Sequence, residues 1–281
     1  MDMFTGRILV LATMHGKEKV IAPILEKQLG VKVIVPKDFN SDQFGTFTRD
    51  KKRTGTQLEA ARLKVKTAMK TMGADLGIAS EGSFGSDPNI PFVPSNLELI
   101  LLVDEKNNLE IRGHSRSSDT NISGRYVKSI DEARAFAKQI GFPEHGLIVR
   151  KSEKSNRPLY KGIRTQEELE QRVHTLLRGF FAKKVYLETD MRAHMNPTRM
   201  QNIQNATEDL VKNIQSECPD CGTPGFVVVG TKGRLLCRHC KQETESPRAY
   251  IKKCQKCALE KEVPREDKIF EEPALCERCN P

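Results

Sequence analysis

The chain has 281 residues, 37% apolar and 30% charged, with no Trp, eight Cys and a formal charge of +9. That length makes one large domain or a medium domain with an appendage, and the apolar fraction suffices for a core. No apolar run reaches the ~20 residues of a membrane span, and Asp2 stands where a signal peptide carries basic residues, so a cytoplasmic protein is expected.

Arg7–Thr13 (RILVLAT) is too short for a helix and reads as a buried strand. A helical pattern follows over Lys17–Leu29, where Pro23 is expected to move the start toward Ala22. Gly30 stops it, and Val31–Val35 is a second strand, so the chain opens as a parallel α/β sheet. Residues 37–55 form a long loop of the kind that carries function. Thr56–Met72 is a helix with Thr56 as N-cap and Glu59 completing a capping box. Asp75–Ser80 is a strand and residues 81–96 a Gly/Pro-rich loop, followed by a hairpin of Leu97–Val103 and Leu109–Arg112. Ile130–Ile140 and Thr165–Phe181 read as helices, Gly146–Arg150 and Lys184–Glu188 as strands. Asn196 and Pro197 supply a cap and a first-turn proline for a helix reaching about Ser216.

All eight cysteines fall in the tail, as four CxxC pairs: Cys218/Cys221, Cys237/Cys240, Cys254/Cys257 and Cys276/Cys279. Without an export signal that pattern means metal rather than disulfides. Fifteen residues separate the first two pairs and eighteen the last two. That spacing is expected to pair neighbours in chain order around two structural zinc ions, with VVVGTKGRLLC as the hairpin of the first ribbon. His239 lies inside CRHC as a spare surface residue. The expected fold class is therefore α/β, a mostly parallel or mixed sheet flanked by helices over residues 1–216, with a C-terminal tandem zinc-ribbon appendage over 217–281.

Charge separates the two parts. Residues 217–281 hold 12 Lys/Arg and 11 Asp/Glu, against 34 and 26 in residues 1–216. With two zinc ions on eight thiolates the tail ends at roughly −3, so an anionic partner is drawn to the large domain. The tail is expected to dock or stabilise rather than to bind phosphate.

Five stretches of the large domain carry candidate chemistry. In ATMHGKE, Thr13, His15, Gly16 and Lys17 sit at a strand-to-helix turn, where free N–H groups and a helix dipole favour phosphate oxygens; the GxxxxGK[ST] loop is absent. The next loop and helix carry Arg49, Lys51, Lys52, Arg53, Arg62, Lys64, Lys66 and Lys70. Among these Arg53 and Lys64 are candidate phosphate ligands, and Glu59 a candidate magnesium ligand. In ASEGSFG, Glu81 at a strand end is a candidate for magnesium or for activating water. Glu144 and His145 of GFPEHG read as ordinary residues before a strand. In LETDMRAHMNPTRM, Asp190 and His194 form a candidate acid–base pair, with Arg192 and Arg199 stabilising charge. A cation at the start of a helix opposes its dipole, so Arg199 is expected to serve an anionic ligand or to pair with Asp190.

ATMHGKE, FGTFT, ASEGSFG, FPEHG, KGI, TDMRAHMNPTRM, CPDCGTPGF and CERCNP together resemble an uncharacterised bacterial family, one of the domains of unknown function. That resemblance covers nearly the whole chain and brings no activity. The first third is also similar to the inosine-triphosphatase type of nucleoside triphosphate pyrophosphatase, through the order strand, ATxxGK loop, helix, strand, GTF loop, EAxxLK helix and ADxGIxxEG. It implies phosphate and metal roles for Lys17, Glu59, Lys64 and Glu81. His15 stands where that family has Asn, and its tandem acids are missing.

The expected function is magnesium-dependent hydrolysis of a nucleotide or other phosphorylated small molecule. The rival is a binding protein that grips nucleic acid or a protein partner through the basic loop or the zinc ribbons; no membrane role is expected.

Overall fold

The computed structural model describes residues 3–37, 39–40, 55–88, 90–179 and 183–281. Arg49, Lys51, Lys52, Arg53, Phe44 and Phe47 lie outside the described residues. The chain divides into two compact units, Met1–Val211 and Lys212–Pro281.

The first unit opens with β1 (Ile8–Ala12), α1 (Glu18–Leu29), β2 (Lys32–Ile34), α2 (Gln57–Met72), β3 (Leu76–Ser86), β4 (Pro94–Asp104) and β5 (Leu109–Ser117). These strands form a mixed sheet in the order β2-β1-β3-β4-β5. β1 runs parallel to β2 and β3, while β4 is antiparallel to β3 and to β5. α1 begins at Glu18 despite Pro23. A proline there removes a single i→i−4 bond, and burial of Ile21, Leu25 and Leu29 holds the helix. α2 has the expected capping box of Thr56 and Glu59 and ends at Gly73 in the left-handed conformation.

The stretch 81–96, expected as a loop, is mostly ladder. Residues 81–86 continue β3, and the register runs unbroken from Leu76 opposite Asp104 to Ser86 opposite Pro94. Gly82, Ser83, Gly85 and Ser86 have poor strand propensity, but pairing to a central strand overrides it.

Side-chain alternation gives this sheet two dressed faces. Val10, Ala12, Ala79, Leu99, Leu101 and Val103 pack against Ala61, Val65, Ala68 and Met69 of α2. Glu98, Gly113 and Ser115 belong to the other face, where the long helix α5 (Pro197–Gln215) lies against β5. Asp209 of α5 accepts the backbone N–H of His114 at 2.8 Å, which blunts the edge of the sheet. At the opposite end of β1, Arg7 pairs with Asp104 at 2.6 Å and Asp75 at 2.9 Å.

A second sheet follows: β6 (Gly124–Val127), β7 (Leu147–Arg150), β8 (Leu159–Ile163) and β9 (Val185–Thr189), in the order β6-β9-β7-β8 with every pair antiparallel. Between the strands run α3 (Ile130–Gln139) and α4 (Gln166–Leu177), whose Ala133, Phe136, Leu169 and Val173 share a core with Val127, Val149, Val185 and Leu187. β6 and β8 were not expected; GRYV and LYKGI are short and each carries a Gly and a cation, and tertiary pairing makes them strands.

The second unit is a four-stranded sheet of β10 (Val227–Cys237), β11 (Glu243–Lys253), β12 (Glu260–Pro264) and β13 (Phe270–Glu271), in the order β12-β11-β10-β13. VVVGTKGRLLC forms no hairpin: it is one 11-residue strand, β10, paired antiparallel with β11.

Gly113 is where α5 meets β5, because an added Cβ there would collide with the Ala206 carbonyl oxygen and the Leu210 nitrogen. Backbone cannot rotate out of the way, so Gly113→Ala should cost about 3 kcal/mol in denaturant unfolding. An unchanged midpoint would mean that α5 is not seated on β5.

Candidate functional site

The cysteines assemble two four-thiol sets, but not in chain order. Cys218, Cys221, Cys254 and Cys257 form one, and Cys237, Cys240, Cys276 and Cys279 the other. The sequential pairing expected for tandem ribbons is corrected by the strand topology. β10 carries the chain away from the first knuckle to the second, and β11 brings it straight back, so the third knuckle meets the first. Sulfur separations are 3.6 Å for Cys218–Cys257, Cys221–Cys254 and Cys240–Cys276, and 3.8 Å for Cys237–Cys279. A tetrahedral ion with ~2.3 Å bonds to thiolates needs sulfurs about 3.8 Å apart, so each set can hold a metal ion. Cys218, Cys237, Cys254 and Cys276, the first of each pair, are buried. The residue after the second cysteine is left-handed in the first three knuckles: Gly222 (φ 68°), Lys241 (φ 60°) and Ala258 (φ 59°). His239 is outside both sets and exposed, yet its Nδ1 lies 3.7 Å from Cys279 Sγ.

Among the described residues of the first unit, Lys17, Lys64, Glu81, Glu98 and Arg199 are charged side chains buried near the carboxyl end of β1 and the middle of β3. Glu81 and Gly82 are successive residues of β3, so their environments lie on opposite faces of the sheet. On the α2 face, Lys64 forms an ion pair with Glu81, and Gln57 donates to the Glu81 carbonyl at 2.6 Å. On the α5 face, Arg199 Nε donates to Glu98 at 2.8 Å and Asn96 Nδ2 donates to the same carboxylate at 3.0 Å. Asn202 Nδ2 donates to Asn96 Oδ1 at 2.8 Å and Ser115 Oγ to Asn202 Oδ1 at 2.5 Å, extending the network across three elements. Only glycine fits at 82, since a Cβ would press on Glu98 Oε2 at 2.8 Å and Arg199 Nη2 at 2.6 Å.

Lys17 donates to Ser80 Oγ at 3.0 Å and to the Ser80 carbonyl at 3.2 Å. Burial, reinforced by Arg199, pulls its ammonium pKa down to about 7, while Glu98 works the other way. For Glu98 burial opposes ionisation, but Arg199 and Lys17 outweigh it and hold the carboxyl below its ordinary range.

The loop between β9 and α5 was expected to offer Asp190 and His194 as an acid–base pair. Instead Arg192 grips buried Asp190 through Nε at 3.0 Å and Nη2 at 2.6 Å, and the backbone N–H of Gly162 adds a bond at 3.1 Å. His194 stacks on His15 with ring centroids 5.1 Å apart. Burial lowers the His194 pKa, with Arg192 contributing, and its buried Nδ1 makes no hydrogen bond among the described residues. Arg199 pairs with Glu98 rather than Asp190, and its Nη1 also donates to the Met191 carbonyl at 2.5 Å. At 2% exposure it is a core residue and not a surface hook for anions. His145 Nε2 lies 2.9 Å from Thr198 Oγ1.

Beside this cluster is a cleft of about 550 Å³, lined by polar Thr13, Glu18, Lys37 and Asn40 and by apolar Met14, Val35, Pro36 and Phe39. It lies at the carboxyl ends of β1 and β2, next to the first turn of α1, which has no side-chain cap. Of the residues expected to bind phosphate, Thr13 lines the cleft. His15, Gly16 and Lys17 belong to the adjoining turn, Lys64 is held under α2 by Glu81, and Arg53 is outside the described residues. The expected magnesium pair does not assemble. Glu59 is exposed and caps α2, receiving the Thr56 N–H at 2.7 Å, whereas Glu81 is buried against Lys64. Glu98, Asn96, Ser80 and Asn202 were missed; a lone acid in the apolar run LELILLV was the available signal for Glu98.

The crossed cysteine sets predict a metal count. Replacing Cys218 and Cys254 together by Ser should leave about one metal ion per chain in native mass spectrometry, because both serve one site; pairing in chain order would leave none. Lys17 predicts a pH dependence. Its folded pKa is below its unfolded value, so the cost of burying the charge is full below about pH 7 and fades as pH rises toward the ordinary lysine value of 10.5. Lys17→Met should therefore raise the thermal midpoint most at and below pH 7, with the gap to wild type closing by pH 10. A constant gap would assign Lys17 an ordinary solvated charge.

A search of curated proteins gives no match. The family model described as Domain of unknown function (DUF6671) matches residues 64–281, from within α2 through the last cysteine pair. The chain belongs to that family of domains of unknown function.

Proposed function

We propose that the first unit binds a phosphorylated small molecule in the cleft beside α1 and hydrolyses it, and that the second unit is held together by two structural zinc ions. The observation that supports the first part is a buried cation, Lys17, placed behind the uncapped first turn of α1 where β1 ends. Open α/β sheets take ligands at that edge, and a helix start with a positive charge behind it favours an anion. Thr13, Lys37 and Asn40 supply polar contacts in the cleft, and Met14, Pro36 and Phe39 an apolar wall for the rest of the ligand.

His194 is the proton acceptor in this reading. Burial and the neighbouring Arg192 hold its pKa below the ordinary imidazole range, and its ring stacks on His15 of the turn that adjoins the cleft. Arg192 and Asp190 hold the loop that presents it. Glu59 and Glu81 are both engaged, so they are not assigned a magnesium ion. Zinc is the ion of choice for the tail because four thiolates at these separations close a tetrahedral shell.

A binding protein without catalysis is the second reading, favoured by the engagement of Glu59, Glu81 and Asp190 in structural contacts. The deciding assay is phosphate and pyrophosphate release from a panel of nucleotides and sugar phosphates, with and without Mg²⁺, on metal-replete protein. Turnover lost in His194→Ala with ligand binding kept, and binding weakened in Lys17→Met, is expected. Ligand binding without release in wild type would sink the hydrolase and leave the binding protein.

A further inference from the structure

The two metal sets differ in how the backbone holds their knuckles. Those of the first set are fastened from both sides. Glu217 bridges Pro224, and the Phe226 N–H donates to the Ser216 carbonyl at 2.8 Å, which closes the loop that carries Cys218 and Cys221. Cys254 and Cys257 sit in the turn of the β11–β12 hairpin, whose ladder runs from Lys253 opposite Glu260 to Ala249 opposite Pro264. Cys218 and Cys254 also pack with Phe226 and Leu259. In the second set, Cys237 and Cys240 turn β10 into β11, and the Cys237 N–H donates to the Gln242 carbonyl at 2.8 Å.

Cys276 and Cys279 are held differently. Anchoring of their segment stops at β13, where Lys268 pairs with buried Glu271 at 2.7 Å, and at Glu272, which meets Arg238 at 3.1 Å. Among the described residues, the backbone hydrogen bonds of residues 273–281 all close within 272–281, and Asn280 Nδ2 donates to the Ala274 carbonyl inside the same segment. The contacts of this kind that cross to the rest of the unit are those of the sulfurs, Cys276 with Cys240 and Cys279 with Cys237, and that of one side chain, His239, whose Nδ1 lies 3.7 Å from Cys279 Sγ. In the first set the hydroxyl on Cys221 Sγ, that of Thr223 at 3.2 Å, comes from the same loop and joins no second knuckle.

Release of a metal ion needs several thiolates to let go together. A thiolate kept in place by backbone rebinds quickly, because its effective concentration at the ion is high; one on a segment that swings away does not. An N–H donor on a thiolate offsets part of the negative charge that four thiolates leave on a divalent ion. Solvent access alone favours the opposite order of release, since Cys221 and Cys257 are exposed whereas Cys240 and Cys279 are half-buried.

We propose that Cys237, Cys240, Cys276 and Cys279 form an exchangeable metal site, opened by movement of residues 273–281, while Cys218, Cys221, Cys254 and Cys257 keep their ion. His239 is a positioning residue that holds the Cys279 thiolate to the second knuckle. The proposal rests on the reading that this unit binds two zinc ions. Release breaks the bonds to sulfur; each sulfur keeps its electron pair and takes up a proton from solvent, a chelator supplies the replacement donors, and no electron is transferred.

The test mixes full-length, zinc-loaded protein with EDTA and applies pulses of N-ethylmaleimide. Native mass spectrometry counts the ions over time, and peptide mapping identifies the alkylated cysteines. A one-ion species is expected to accumulate, alkylated at Cys237, Cys240, Cys276 and Cys279, with the second ion leaving at least roughly tenfold more slowly. His239→Ala should release the first ion roughly tenfold faster and leave the second rate unchanged, whereas His239→Asn, which keeps an N–H donor there, should restore the slow rate. Simultaneous loss of both ions, earlier alkylation of Cys218, Cys221, Cys254 and Cys257, or an unchanged first rate in His239→Ala would each overturn the proposal. Should His239→Ala fail to fold, the order of alkylation in wild type still decides. A starting protein with fewer than two ions would remove the zinc reading itself, and the proposal with it.

Discussion

The buried contact between Glu98 and Arg199 fixes more of the first unit than any other. It joins β4, an interior strand of the five-stranded sheet, to the first turn of α5. Isolated in low dielectric, either charge would cost several kcal/mol, and their mutual attraction offsets that only with good geometry and further hydrogen bonds. Asn96 supplies one to Glu98 and the Met191 carbonyl receives one from Arg199. A pair of this kind contributes little net stability compared with apolar replacements, but it tolerates few alternative arrangements. The helix register is thereby set in the first turn by charge and further along by the close seat of Gly113 under Ala206 and Leu210. Between these fixed points Asn202 reads Asn96 and Ser115, so α5 has no freedom to slide along the sheet.

That rigidity has an electrostatic consequence for the cleft. Arg199 is one cause of the low Lys17 pKa, and Glu98 partly compensates it. The helix that closes one face of the sheet therefore also sets the charge behind the β1–α1 turn. The stacked His15 and His194 connect the same turn to the loop leading into α5. Cleft and helix are linked through a few polar side chains whose positions are all determined by backbone packing.

Much of this was legible in the sequence where the signal is local. The α2 capping box, the glycine stop after α1 and the strand of Arg7–Thr13 follow from propensity and periodicity. The eight cysteines announced their chemistry by type and spacing. What escaped was non-local. Residues 81–86 carry a loop's composition, and only the partner strand turns them into β3. GRYV and LYKGI become strands because neighbouring strands need pairing. Glu98 was hidden inside an apolar strand, and its partner stands 101 positions away. Arg199 was rightly singled out as badly placed for a helix start, yet the anion it serves is internal. The cysteine pairing failed for a similar reason. Knuckle spacing is compatible with either arrangement, and the decision belongs to a strand that runs straight where a hairpin was expected.

The crossed wiring of the second unit also bears on how the chain reaches its native state. A growing chain presents its first two knuckles together, before the third and fourth exist. Four thiolates from those knuckles satisfy a metal ion chemically, but they would bend VVVGTKGRLLC back on itself and prevent β10 from forming. The native arrangement needs contacts between residues 39 and 42 positions apart, Cys218 with Cys257 and Cys237 with Cys279. Such long loops close more slowly than short ones. Metal captured too early is therefore a kinetic trap with correct coordination and wrong topology. Escape from such a trap requires thiolate exchange at the ion.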